Sequence, residues 1–202
     1  REYLSVHPIT IEASSSLTKS DLKTWLTASR EKKIKWNYLD RYLRYLSDEG
    51  RSENIIHEVN RSSQVIMGFL GDPDKADAFY VKGLVVGEVQ SGKTGNFNAV
   101  INRSIDCGYK LVIVLSGIME DLRYQTQDRI ESEVVGEGKD TATQRIGKKG
   151  VGHIVRFGMF DDNNVEQVES ITSCKADFSR TLLDADFALS KPTILVCKKN
   201  VS

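Results

Sequence analysis

Eight consecutive residues near the middle of the chain constrain its fold more than any other stretch. The pattern G-x-x-x-x-G-K-[ST] is matched by Gly87, Glu88, Val89, Gln90, Ser91, Gly92, Lys93 and Thr94. An apolar run, Leu84–Val86, precedes the pattern, and a helix-compatible segment over residues 93–106 follows it. A strand, a tight loop and a helix in this order make an anion site, because successive backbone N–H groups and the helix N-terminus point to one place.

The pattern therefore predicts a nucleotide site formed by residues 87–94. Lys93 is expected to reach the β- and γ-phosphates as the catalytic cation, and the Thr94 hydroxyl to ligate Mg²⁺. ATP and Mg²⁺ are thus the predicted cofactors, and P-loop NTPase activity is the predicted chemistry. The alternative is a glycine-rich turn that contains Lys-Thr by chance, and the flanking strand and helix patterns argue against it.

Apolar runs alternate with helix-compatible segments from residue 79 onward. Strands are predicted in Tyr80–Val86, Tyr109–Gly117 and Lys191–Asn200, and helices over residues 93–106 and 119–133. Cys107-Gly108 is expected to end the first of these helices. Residues 136–152 are predicted to be a loop, since they are too polar and glycine-rich to pack. Strands alternating with helices predict an α/β fold with a parallel sheet and right-handed crossovers.

Residues 1–78 form a separate helical segment by the same criteria. Thr18 and Asp21 resemble a capping box, which predicts a first helix with Trp25 and Leu26 on one face. Apolar residues at spacings of three and four predict a second helix that stops at Gly50: Trp36, Leu39, Leu43 and Leu46. Ser52 is expected to cap a third helix, which ends at Gly71–Pro73.

Composition excludes several other classes of protein. The 202 residues include 28 basic and 28 acidic side chains, so no overall charge attracts nucleic acid or a membrane surface. The three cysteines lack C-x-x-C spacing, which argues against a disulfide framework and a zinc site. No apolar run approaches the roughly 18 residues that a bilayer span needs. We expect a piece of a longer cytoplasmic protein with no membrane partner.

Residues 83–130 resemble the Z-one domain family. The resemblance lies in Val89–Thr94, the turn Gly108–Lys110 and the stretch Leu122–Gln127, with weaker similarity in residues 171–179 and 194–200. This family is usually labelled an endonuclease. It is also described as a helicase-like ATPase of superfamily two in bacterial restriction and phage-defence gene clusters, beside GHKL ATPases and nucleases. The resemblance implies a RecA-like P-loop lobe over residues 79–202, preceded by the helical segment.

A helicase-like ATPase implies contacts with nucleic acid, with DNA as the favoured form. By analogy with superfamily two, the contacts would come from Gly117, Arg123 and Gln125, whereas the alternative is that these are ordinary surface residues. The implied function is an ATP-binding lobe of a DNA-binding hydrolase. The alternative is an ATP-dependent switch or scaffold that recruits a separate nuclease or a GHKL ATPase partner without translocating.

The acidic motif that a P-loop ATPase also needs is not evident in the sequence. Asp184 follows too few apolar residues, and the run that ends at Val196 continues into Lys198 and Lys199. We therefore expect the motif beyond Ser202 and half a catalytic site in this chain. Lys198 and Lys199 are equally compatible with a nucleic-acid contact and with a solvated strand end.

Two further segments suggest chemistry and have simpler explanations. Residues 30–45 interleave basic and aromatic residues, as single-strand binding surfaces do, but an amphipathic helix with its aromatics in the core is favoured. Asp21, Glu31 and Lys33 loosely match the D…E-x-K pattern of restriction-type nucleases. That chemistry needs its acids on adjacent strands, whereas these lie in predicted helix.

Overall fold

The computed structural model describes residue 15 and residues 23–75, 79–86, 93–141, 144–147, 168–178 and 189–199. This part of the chain is mixed α/β, with a small three-stranded parallel sheet flanked by helices. The helices are α1 (Ala28–Glu31), α2 (Asn37–Asp48), α3 (Glu53–Phe69), α4 (Lys93–Asp106) and α5 (Glu120–Ile130), and a π-helix follows at Glu131–Val135. The strands are β1 (Leu111–Ser116), β2 (Glu137–Thr141), β3 (Gln144–Gly147), β4 (Glu169–Ser170) and β5 (Thr193–Lys198).

The parallel sheet has the order β1-β5-β4. Strand β5 lies in the middle and pairs with β1 from Leu111↔Thr193 to Ser116↔Lys198. On its other side β5 pairs with the short β4 at Glu169↔Thr193 and Ser170↔Ile194. The predicted parallel sheet is confirmed, because the two apolar runs of residues 109–117 and 191–200 pair side by side.

Helix α4 and strand β1 form one continuous unit. The helix covers residues 93–106, as predicted, and Gly108 adopts a φ of +99° in the turn that follows. Only glycine takes this left-handed conformation without strain, so the chain can reverse directly into β1. Because α4 has 14 residues, its N-terminus lies about 21 Å from this turn.

The N-terminal helices share one hydrophobic core with the sheet. Val112 and Val114 of β1 and Ile194 and Val196 of β5 face this core. The buried residues that α2, α3 and α4 contribute to it are Tyr38, Leu39, Tyr42, Leu46, Val59, Ala99, Ile101 and Ile105. The stripe predicted for α2 is therefore confirmed, because its apolar and aromatic residues pack onto α4. On the opposite side of β1, Ile113 and Leu115 are exposed.

The first predicted helix is much shorter than expected. Within the described residues it covers only Ala28–Glu31, and Trp25 lies outside it. The backbone N–H of Trp25 donates to Gly68 O, and its indole N–H donates to Met67 O at 3.0 Å. These bonds satisfy carbonyl groups at the end of α3, so tertiary contacts hold Trp25 at a bend outside any helix, where local periodicity predicted helix. The capping residues Thr18 and Asp21 lie outside the described residues.

The strand predicted at Tyr80–Val86 is also absent. Residues 79–86 have no regular structure, and Leu84 and Val86 are 87% and 83% exposed. A strand requires a hydrogen-bonded partner as well as apolar side chains, and no described strand pairs with this segment. The prediction was wrong because an apolar run specifies neither a partner nor a position in the sheet.

The polar stretch 136–152, predicted to be a loop, contains an antiparallel pair. Strands β2 and β3 pair from Glu137↔Gly147 to Thr141↔Gln144, with an irregularity between Lys139 and Thr141. Backbone pairing between neighbours in sequence needs no apolar core, which is why composition did not predict it.

Among the described helices, none is both long and apolar enough to cross a bilayer.

Candidate functional site

The N-terminus of α4 is the feature to which the nucleotide-binding pattern leads. Gly87–Gly92 lie outside the described residues, whereas Lys93 and Thr94 begin α4. The first four N–H groups of a helix have no partner within it, and they carry the positive end of its dipole. No acidic residue occurs in the first turn of α4. The free N–H groups and the dipole favour an anion such as a phosphate group at this terminus, whereas the Glu133 carboxylate of the π-helix adds a negative charge beside the first turn.

Three separate elements meet at the first turn of α4. The Tyr42 hydroxyl of α2 lies 3.2 Å from the backbone oxygen of Gly95 and 3.1 Å from Oε2 of Glu133 in the π-helix. The Asn98 amide of α4 donates to the same carboxylate oxygen. Tyr42 and Asn98 are fully buried. Burial is the main cause of a raised pKa for Tyr42, and the neighbouring Glu133 charge raises this pKa further.

The opposite end of α4 is fixed by an equally specific contact. Both carboxylate oxygens of Asp106 accept hydrogen bonds from backbone N–H groups at the start of α2. Next to it, the buried Arg103 guanidinium donates to Asn60 and Ser63 of α3. Its central carbon lies 4.7 Å from the centre of the Trp36 ring. Helix α4 is thus held at both ends by the N-terminal helices.

Arg123, a predicted nucleic-acid contact, lies in the interior. Its side chain is 1% exposed. Two of its nitrogens donate to the backbone oxygens of Ser173 and Cys174 at 2.8 Å, and Nε donates to Glu120 at 2.6 Å. A contact with nucleic acid requires an exposed guanidinium, so the structure gives Arg123 a different task, which is to join α5 to residues 173–174.

The other two predicted contacts remain accessible. Gln125 is exposed on α5, and Gly117 is partly exposed directly after β1. A Cβ atom at Gly117 would lie 2.6 Å from Cδ1 of Leu122, so glycine permits close packing of that side chain. Of the two lysines near the end of β5, Lys198 pairs with Glu120 at 2.7 Å and with Asp177 at 3.8 Å. Lys199 is exposed.

The aromatic residues of segment 30–45 lie mainly against the core. Tyr38 and Tyr42 are buried, Trp36 and Tyr45 are partly buried, and the Tyr42 and Tyr45 rings stack with their centres 6.3 Å apart. The favoured interpretation, an amphipathic helix with solvated charges, is confirmed for residues 37–45, whose aromatic side chains face the core. It fails for residues 32–36, which lie outside a helix, and for the Arg41 side chain, which is buried. Stacking of nucleic-acid bases on the buried rings of Tyr38 and Tyr42 would require the core to open.

The nuclease-like pattern has no matching geometry in the described residues. Glu31 belongs to the short helix α1 and accepts a hydrogen bond from Gln64 at 2.6 Å. Asp21 lies outside the described residues, as do Asp184 and Asp186. Within the described ranges no group of three or more histidine, cysteine, aspartate or glutamate side chains is placed to hold a metal ion.

Sequence analysis missed a buried polar network beside the sheet. The amide nitrogen of Gln127 in α5 lies within 3.0 Å of Oε1 of Glu131, the Ser170 hydroxyl and the Thr172 backbone oxygen, which share its two hydrogens. The Thr172 hydroxyl donates to Oε1 of Gln127 and accepts from the backbone N–H of Val196, both at 2.8 Å. The signal that could have identified it is the 127–131 spacing, which places both side chains on one helical face.

Comparisons of the chain with protein-family models, with curated proteins and with solved structures find no match.

Proposed function

We propose that this chain is the ATP-binding lobe of a P-loop ATPase with a RecA-like fold. One observation carries the proposal: the nucleotide-binding pattern runs without a break into α4, so that its lysine is the first residue of the helix. The absence of acidic residues from the first turn and the parallel pairing of β1 with β5 support it. In open α/β sheets, ligands bind where helix N-termini meet the carboxyl ends of parallel strands.

The residues assigned to the site are those of the pattern itself. Backbone N–H groups of residues 87–94 would hold the phosphates, Lys93 would neutralise the β- and γ-phosphates, and Thr94 would ligate Mg²⁺. When bound, Mg²⁺ supplies further neutralisation of the charge that develops on the transferred phosphoryl group. The N-terminus of α4, which lies within the described residues, supports this assignment.

A role on nucleic acid is the second part of the proposal. The resemblance to the Z-one domain family supports a helicase-like ATPase that acts on nucleic acid in a bacterial restriction or phage-defence system. Gly117 and Gln125 are its accessible candidate contacts.

One observation favours the alternative, a nucleotide-controlled switch or scaffold without translocation. Arg123 and Lys198 are engaged within the chain, and two of the four aromatic rings of segment 30–45, Tyr38 and Tyr42, lie in the core. If they were exposed, these side chains would form a basic and aromatic surface suited to binding a nucleic-acid strand.

Nucleotide binding is tested by titrating the chain with Mg·ADP in a calorimeter, beside the variants Lys93→Ala and Lys32→Ala. We expect wild type and Lys32→Ala to bind equally, because Lys32 is an exposed residue at the end of α1. Lys93→Ala is expected to bind at least about tenfold more weakly, with an unchanged melting temperature, since it loses a charge-assisted contact to phosphate. No binding by the wild-type chain at millimolar Mg·ADP would refute the site.

The nucleic-acid role is tested by repeating the titration in the presence of single-stranded and double-stranded DNA. Because coupling between two sites is reciprocal, DNA that contacts the chain in a nucleotide-dependent way must change the affinity for Mg·ADP. A change abolished by Gln125→Ala would support the helicase-like function. An unchanged affinity would favour the switch.

A further inference from the structure

The contact between α2 and the first turn of α4 joins parts of the chain that are far apart in sequence. Tyr42 and Gly95 are 53 positions apart, and Tyr42 and Glu133 are 91 apart. Their meeting point is buried, since Tyr42 and Asn98 have no exposed surface. A contact of this kind is formed only when the N-terminal helices, α4 and the π-helix are all in place.

The first turn is the part of a helix that most needs such support. Its N–H groups have no intrahelical partner, and helix ends fray. Gly95 adds to the tendency, because glycine loses more conformational freedom in a helix than any other residue. The Tyr42 hydroxyl lies against the backbone oxygen of Gly95 itself, so it restrains the turn at its most flexible residue.

Glu133 fixes the orientation of that hydroxyl. The single hydroxyl hydrogen of Tyr42 lies between two acceptors, the Glu133 carboxylate and the Gly95 carbonyl. Asn98, one turn further along α4, holds the same carboxylate from the other side. Within the π-helix, Glu131 instead reaches Gln127 and Cys174, so the two glutamates serve opposite sides of the element.

We infer that Tyr42, oriented by Glu133, is a positioning residue for the nucleotide site: it holds the first turn of α4 so that its free N–H groups converge on a phosphate group of the ligand. The inference rests on the proposed function and extends it, because it makes helix α2 part of the nucleotide site. By reciprocity, bound phosphate strengthens the contact between α2 and α4.

The test combines hydrogen exchange with nucleotide affinity in the wild-type chain and in Tyr42→Phe. The amides of residues 97–100 report on the first turn, because they donate to the carbonyls of residues 93–96. Tyr42→Phe removes one hydroxyl and keeps the ring. Tyr124→Phe makes the same change on the exposed side of α5 and serves as the matched control.

Tyr42→Phe is expected to speed exchange of these four amides about fivefold and to weaken Mg·ADP binding by a similar factor, as loss of one buried hydrogen bond would. Tyr124→Phe is expected to change neither quantity. Exchange in residues 97–100 that stays at the wild-type rate overturns the inference. A uniform acceleration along the whole chain overturns it as well, because that is the effect of lost global stability.

A second variant covers the case in which Tyr42→Phe does not fold. Glu133→Gln keeps the size of the side chain and an acceptor oxygen, and it is expected to give the same local effect to a smaller extent. Absence of Mg·ADP binding by the wild-type chain refutes the proposed function alone. The exchange rates then still decide whether Tyr42 holds the first turn of α4.

Discussion

Replacing Asp106 with asparagine would change a single contact that joins α4 to the start of α2. Oδ1 of Asp106 accepts from the N–H groups of Asn37 at 3.1 Å and Tyr38 at 2.9 Å, and Oδ2 accepts from Leu39 at 2.9 Å. The residue in the N-cap position of α2, Trp36, provides no side-chain bond to the helix. Asp106 therefore caps α2 from 67 to 69 positions away along the chain.

Two effects oppose each other at this carboxyl group. Burial is the stronger and raises the pKa of Asp106 to about 7 from 3.8, while the three N–H donors favour the charged form and lower the pKa. With a raised pKa, the folded chain binds a proton more tightly than the unfolded chain does. The stability that this group contributes is therefore complete at low pH, and it is lost as the pH rises from about 4 to about 7.

The magnitude follows from the pKa difference. Between about pH 5 and about pH 8, the carboxyl group changes the wild-type free energy of unfolding by about 2 to 3 kcal/mol, at 1.36 kcal/mol per pKa unit. Asparagine carries no charge, so the Asp106→Asn variant does not lose this stability as the pH rises. We expect Asp106→Asn to be about 1 kcal/mol less stable than wild type at the lower pH, as a weakened cap. At the higher pH it should be more stable than wild type.

Urea unfolding at both pH values measures these differences directly. Glu49→Gln is the matched control, because it removes one negative charge at the exposed C-terminal end of α2, the helix that Asp106 caps. Asp106→Ala removes both acceptor oxygens, so its free energy of unfolding should be about 1 kcal/mol lower than that of Asp106→Asn at either pH. If Asp106→Asn instead loses stability relative to wild type as the pH rises, the N–H donors outweigh burial and the argument is wrong.

Three other changes test separate parts of the structure. Arg123→Ala should lower the free energy of unfolding by about 3 kcal/mol, because it leaves the Ser173 and Cys174 carbonyls without their donor. The control Arg129→Ala removes an exposed side chain and should lower it by less than about 0.5 kcal/mol. Equal effects of the two changes would contradict the interior role of Arg123. Thr172→Val should cost about 1 to 3 kcal/mol, since the Val196 N–H loses its acceptor, and Thr126→Val on α5 should be nearly neutral; urea unfolding compares them. The 202-residue chain should release phosphate from ATP at a rate near background, because it lacks an evident acidic motif, with Lys93→Ala as the contamination control. Turnover above about 1 per second that Lys93→Ala abolishes would place the acid within this chain, first at Asp184 or Asp186.

Local sequence signals predicted the elements that depend on local physics. Helix α4 covers the predicted residues 93–106, and Gly108 supplies the left-handed turn after it. Strands β1 and β5 lie within the predicted apolar runs. Helix α2 follows from the apolar stripe that begins at Trp36 and stops at Gly50, whose φ is +78°. Apolar periodicity and glycine turns depend on residues close together in the chain, so they can be predicted from the sequence.

Predictions that needed a distant partner were less successful. Trp25 lies outside a helix because the end of α3 offers it carbonyl groups, and Leu84–Val86 form no strand because no described strand pairs with them. Residues 87–92, which we propose to bind nucleotide, lie outside the described residues, so this proposal rests on the sequence pattern and on the helix that begins at Lys93.

Only the tertiary structure decided which side chains work together. A charged residue such as Arg123 has the same local pattern whether it faces solvent or the interior, and here residues 173–174 enclose it. The cap from Asp106 and the contact of Tyr42 with Glu133 each join residues more than 50 positions apart in the chain. The strand order β1-β5-β4 likewise differs from the order of the strands in the sequence. Sequence by itself determined the periodicity of each element and the G-x-x-x-x-G-K-[ST] pattern of residues 87–94. Partners were decided by packing, because hydrogen bonds and burial depend on distances in space that a linear pattern does not contain.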